Sequence, residues 1–140
     1  MIKLTSENFE STLNTVNGAY LIKFGSKTCG PCNTMAPVLE KLQVENSEFK
    51  IFEIDTNESP ELAGHFQIRS VPTMHFCEGR EILYTCNGIT PFKDLQYIIN
   101  NLDDPTFRES GEFKVEKSKN YFYPILFASV VAFVAILMAI

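Results

Sequence analysis

Apolar and polar positions divide this chain into a mixed strand-and-helix stretch, a charged stretch and an apolar one. Phe9, Leu13 and Val16 recur at helical spacing behind Thr5 or Ser6, either of which can cap a helix, with Glu7 near its positive end and Asn17-Gly18 to stop it. Tyr20-Leu21-Ile22-Lys23-Phe24 is mostly apolar and predicts a strand buried on both faces. From Cys29 to Asn46 the apolar positions Met35, Val38, Leu39, Leu42 and Val44 predict a helix, kinked at Pro37 because proline supplies no backbone N–H. Phe49 to Asp55 predicts a second central strand. Ser59-Pro60-Glu61 has the order of an N-cap, a first-turn proline and a first-turn acid, opening a short helix to about His65. Thr73 to Cys77 and Glu81 to Cys86 flank Glu78-Gly79-Arg80 and read as a hairpin. Thr90-Pro91 caps a last helix carrying Phe92, Leu95, Ile98, Ile99 and Leu102. This order predicts an α/β domain over residues 1–102, a mixed central sheet flanked by helices on both faces.

Residues 103–120 carry both charge signs, Pro105, Gly111 and little apolar periodicity, the composition of a charged flexible linker. Residues 121–140 contain no charge and match the ~20 residues a helix needs to cross a bilayer. Lys114, Lys117 and Lys119 precede that stretch, and Tyr121, Phe122 and Tyr123 begin it. By the positive-inside rule, a C-terminal transmembrane helix here leaves the domain facing the cytoplasm as a tail-anchored protein. Met1 to Glu7 has no apolar h-region, so no secretory signal peptide is expected.

Composition narrows the classes of function. Hydrophobic content of 45% and twelve phenylalanines supply a core for one domain plus an appendage within 140 residues. A net charge of −5, with no basic stripe among aromatics, excludes a nucleic-acid binder. Four cysteines without a secretion signal fit redox chemistry in a reducing compartment better than a structural disulfide framework.

Cys29-Gly30-Pro31-Cys32 carries the chemistry. Two cysteines with this spacing can close a small disulfide ring and exchange it with a disulfide on another protein. At a strand-to-helix junction the first sulfur meets unpaired N–H groups and the positive end of a helix dipole, which favour thiolate over thiol. A zinc site built from all four cysteines is the competing reading, but Cys77 and Cys86 lie in a predicted hairpin without a second CxxC. They read instead as small residues packed in strands. His65 and His75 lack a cysteine-adjacent context and read as surface or strand residues.

The CGPC motif after an apolar strand, Pro37 in the following helix, Ile54-Asp55, Ile68-Arg69-Ser70-Val71-Pro72-Thr73 and a hairpin leading to Gly88 closely resemble the thioredoxin family over about Leu4 to Leu102. The resemblance implies a thioredoxin-like fold and a protein-disulfide reductase without a cofactor or a metal. Cys29 is then the attacking thiolate and Cys32 the resolving thiol; Gly30 lets a substrate backbone approach, and Pro31 stiffens the ring. Pro72 matches the family's cis-proline, which brings the Val71 backbone beside the dithiol to pair with an extended substrate and excludes a metal from the sulfurs. Thr28, Gly30, Pro31, Val71, Gly88 and Ile89 would form the docking rim. The implied partners are disulfide-containing proteins, a thioredoxin-reductase-like electron donor and, from residues 121–140, a membrane. Two departures stand out. Thr28 replaces the tryptophan usual before the first cysteine, and Lys23 replaces a buried aspartate thought to help deprotonate the resolving cysteine. The stem of Lys23 is expected to snorkel to water; pointed at Cys32 instead, its charge would modulate that thiol. An adaptor with little redox activity, or a thiol oxidase or isomerase, are the alternative functions.

Overall fold

The computed structural model describes residues 1–110. Five strands form one sheet: β1 (Ile2–Lys3), β2 (Ala19–Gly25), β3 (Lys50–Asp55), β4 (Thr73–Glu78) and β5 (Glu81–Asn87). Their spatial order is β1-β3-β2-β4-β5, with β1, β3 and β2 parallel and β4 and β5 antiparallel. Five helices connect or cover them: α1 (Phe9–Leu13), α2 (Gly30–Glu45), α3 (Pro60–His65), α4 (Phe92–Asn101) and α5 (Pro105–Ser110).

Strand alternation splits the core into two layers. Leu21, Ile51, Met74 and Phe76 face one side with Met35, Leu39, Leu42, Leu95 and Ile98 of α2 and α4. Tyr20, Ile22, Phe24, Phe52, Ile54 and Cys77 face the other with Phe9, Leu13 and Leu62 of α1 and α3. The central strand β2 is buried from Tyr20 to Gly25, as its apolar run predicts, and this rigid strand delivers the chain to the CGPC turn.

Several local expectations fail for identifiable reasons. Neither Thr5 nor Ser6 caps α1; the Asn8 side chain accepts from Thr5 N–H at 2.8 Å and delays the helix to Phe9. Thr90 does not cap α4: Pro91, which has no side-chain oxygen, holds the N-cap position, and the Thr90 hydroxyl donates to Gly88 O at 3.4 Å. Val44 is 80% exposed, since it falls on the face of α2 away from Leu42. The domain also continues past Leu102. Residues 105–110 of the expected linker form α5, whose Phe107 is 5% exposed, stacked 5.2 Å from the Tyr84 ring. Arg108 fixes that helix by donating to Leu102 O and to Glu78 Oε2 at 2.8 Å. Among the described residues no helix is long and apolar enough to cross a membrane; the expected span at 121–140 lies outside them.

Candidate active site

The end of β2, the start of α2 and the loop before β4 meet at the CGPC turn. Cys29 is the N-cap of α2, extended at φ −87° and ψ 113°, with Pro31 in the first turn where a missing N–H costs nothing. The Cys32 N–H donates to Cys29 Sγ at 3.1 Å. In the reduced protein that donor stabilises a Cys29 thiolate more than a thiol. Here the two cysteines are joined as a disulfide, Cα atoms 5.2 Å apart, which is the oxidised state of an exchange cycle. Their settings differ: Cys29 is half-buried, while Cys32 is 1% exposed.

Opposite the dithiol, the Val71–Pro72 peptide is cis. The Val71 carbonyl oxygen lies 3.8 Å from Cys29 Sγ. Gly88 N–H donates to Pro72 O at 2.8 Å, holding the end of β5 against this loop. Gly88 has φ +77°, which favours glycine there. The Thr73 hydroxyl lies 2.7 Å from Ser70 O and 3.0 Å from Asn87 Oδ1, tying the same loop from below. Around the sulfurs Thr28, Gly30 and Pro31 are exposed, Val71 and Gly88 half-buried, and Ile89 exposed. The predicted site residues of the motif, the proline loop and the rim thus lie on three segments that converge on one end of the sheet.

Lys23 departs from the snorkelling expectation. Its side chain is 5% exposed, and its ammonium pairs with Glu53 Oε1 at 3.1 Å. The parallel register sets Lys23 opposite Glu53, so the cation finds a carboxylate on β3 instead of reaching for water. Glu53 was not legible as a site residue. Its polarity between Phe52 and Ile54 is the single hint, and the partner it serves lies 30 positions away.

Burial governs the other titratable groups near the core. Burial pushes the Cys77 thiol up to about 12. Burial also pushes Cys86 up to about 11, against a smaller opposing pull from its hydrogen bond with Thr90. His75 is buried against the rings of Phe24 and Phe66, its Nδ1 2.9 Å from Thr85 Oγ1 and its Nε2 without a partner. Burial holds it below its ordinary value of 6.5. His65 is exposed at the end of α3. Among the described residues, no three His, Cys, Asp or Glu side chains are grouped to hold a metal ion.

Known proteins with this arrangement are numerous. The thioredoxin of Listeria monocytogenes is 38% identical over 102 residues, covering 71% of this chain and 97% of that protein. A bifunctional thioredoxin reductase/thioredoxin of Mycobacterium leprae is 30% identical over 107 residues, 73% of this chain and 23% of that protein. The crystal structure of thioredoxin NaTrxh from Nicotiana alata superposes with a TM-score of 0.65 at 20% identity, covering 71% of this chain and 90% of that one, and so shares the fold. The family model for thioredoxin matches residues 1–101, the stretch that folds around the dithiol. With that match and a redox-competent CGPC pair at the head of α2, the chain belongs to the thioredoxin family and is a protein-disulfide oxidoreductase of its type.

Proposed function

We propose that this protein reduces disulfides in other proteins while tethered to a membrane surface. The observation that carries the reaction is the asymmetry of the dithiol: Cys29 is half-buried and receives an N–H, while Cys32 is covered. A Cys29 thiolate attacks a substrate disulfide, forming a mixed disulfide and releasing the first substrate thiolate. Cys32 then attacks Cys29 Sγ, which frees the second substrate sulfur and leaves the oxidised pair seen here. An extended substrate segment would lie along Val71 as an added strand, with Thr28, Gly30, Pro31, Gly88 and Ile89 around it. Thr28 offers a smaller platform than a tryptophan would, so docking relies more on the backbone at Val71. Regeneration needs a dithiol donor. The Mycobacterium leprae relative, whose name joins a thioredoxin reductase to a thioredoxin, supports a reductase of that kind as the donor.

The tether is the apolar stretch at 121–140, with Lys114, Lys117 and Lys119 before it supporting a cytoplasmic orientation. Full-length protein should stay with membranes through carbonate extraction, and protease on the cytoplasmic side should release a fragment cut before residue 121. Release by carbonate would overturn the tether. Equilibration of the dithiol against glutathione tests the direction of exchange. A potential near thioredoxin's ~−270 mV supports a reductase, and one near the ~−120 mV of a strong oxidant overturns it.

A further inference from the structure

Lys23 is the only lysine, arginine, aspartate or glutamate buried among the described residues. Its place is tied to the dithiol through Gly25. A methyl group on Gly25 would lie 3.3 Å from Cys32 Sγ and 3.3 Å from Lys23 Cε, so stem and sulfur meet over the same bare stretch of β2, at most twice that distance apart. One bond beyond Cε, the ammonium is held 3.1 Å from Glu53 Oε1, and the Glu53 side chain is 40% exposed. A line of groups thus runs from the covered sulfur, through a buried cation, to a carboxylate in contact with water.

Few other charges compete. Cys29 lies on the same helix as Cys32. On β3, Asp55 stands opposite Gly25, but its Oδ1 accepts from the N–H groups of Asn57 and Glu58 in the following loop. β4 brings Met74 opposite Lys23. On β1, Lys3 stands opposite Glu53 and is paired with Glu58.

We propose that Lys23 and Glu53 are a positioning pair for Cys32: the ammonium, oriented by the carboxylate, favours the anionic sulfur at the step that resolves the mixed disulfide. This rests on the dithiol-exchange reading above. In that step Cys32 loses its proton to water, and its sulfur electron pair forms the bond to Cys29 Sγ. The bond between Cys29 and the substrate sulfur breaks, and that sulfur leaves with the bonding pair and takes up a proton from water. Lys23 acts by charge alone, and no further oxidant or reductant enters. A covered site strengthens such an interaction relative to water, and Glu53 offsets the cost of burying the ammonium while weakening its field at Cys32. The two residues therefore act on Cys32 with opposite signs. A purely structural ion pair has no such property.

The test is the pH dependence of Cys32 alkylation by iodoacetamide, read on the Cys32 peptide of the reduced full chain in mild detergent, in a Cys29→Ser background. Lys23→Met moves the profile to higher pH, leaving about tenfold less thiolate at a fixed pH for each unit of displacement. Lys23→Arg, which keeps the charge, restores most of the parent profile. Glu53→Gln keeps an oxygen for the ammonium but removes the opposing charge, and moves the profile to lower pH. Unmoved profiles, or displacements of the same sign for Lys23→Met and Glu53→Gln, overturn the proposal. Should Lys23→Met lose cooperative unfolding, Glu53→Gln at its half-exposed site decides alone, and an unmoved or raised profile is then the negative result. Disulfide reduction by the unmutated chain is measured alongside. Its absence would overturn the reductase reading, while the Cys32 titration still decides whether the pair acts on that sulfur.

Discussion

Cys29 and Cys32 occupy the first turn of a helix, whereas Cys77 and Cys86 occupy the strands of the β4–β5 hairpin, and the two settings treat one side chain in opposite ways. At the head of α2 the backbone supplies an N–H to Cys29 Sγ, and the neighbouring loop presents the Val71 carbonyl and an open rim. In the hairpin burial dominates instead, and it pushes the Cys77 and Cys86 thiols up to about 12 and about 11. The hairpin applies the same treatment to His75, which keeps one ring nitrogen unpartnered against two phenylalanine rings. Reactivity in this protein is a property of the place in the fold. The residue type alone does not confer it.

Substitutions that exchange the roles of the two regions give the largest effects. Cys29→Ser should lower protein-disulfide reduction by at least about three orders of magnitude, the scale of losing a nucleophile. Cys32→Ser should accumulate mixed disulfides, visible as covalent adducts on non-reducing gels. Cys77→Ala and Cys86→Ala should leave the rate near the parent's, and a comparable loss in either would break the contrast. Alkylation of the reduced protein at neutral pH should mark Cys29 first. A thiol pushed up to about 12 is roughly one part in 10⁵ ionised at pH 7, so Cys77 should stay unlabelled until the protein unfolds. Faster labelling of Cys32 than of Cys29 would reverse their assigned roles.

A smaller effect probes how the hairpin is covered. Phe107 stacks on Tyr84 of β5 and lies 6.2 Å from the Tyr97 ring. Phe107→Ala should cost about 3 kcal/mol in urea unfolding, the usual scale for emptying a buried phenylalanine site. Ending the chain after Leu102 should cost at least as much, whereas ending it after Ser110 should not. Equal stability of the two truncations would show that α5 contributes nothing to the hairpin.

The smallest effect is the pH response of the hairpin. Burial lowers the proton affinity of His75 in the folded state, so the unfolded chain binds the proton more readily. The stability that neutral His75 contributes is fully present above its ordinary value of 6.5 and falls as the pH drops below it. His75→Phe, aromatic but without a titrating group, should flatten that part of the profile in denaturation midpoints measured between pH 7 and pH 5. A variant that follows the parent's slope would assign the loss to other groups.

Much of the fold is legible in short stretches of sequence because its causes are short-ranged. The apolar run of β2, the proline in the first turn of α2, Ser59-Pro60 before α3 and the glycine turn between β4 and β5 each act through residues a few positions apart. The CGPC motif belongs to this class, since spacing within one helical turn places both its sulfurs. β1 escaped because it is two exposed residues long and exists only through its pairing with β3. α5 escaped because polar neighbours surround the single aromatic that anchors it.

The amino-acid sequence by itself determined the elements, their order, the dithiol and the odd cation in β2, all set by neighbours along the chain. Tertiary structure alone decided which groups those residues meet. Lys23 gains Glu53 across 30 positions only when β2 and β3 pair in parallel at one register, and a slip of one residue would turn either side chain to the opposite face. The Val71 carbonyl reaches Cys29 across 42 positions by the same dependence on the sheet. Contacts of that range arise from strand register and helix packing, which the whole core selects together and no local pattern records.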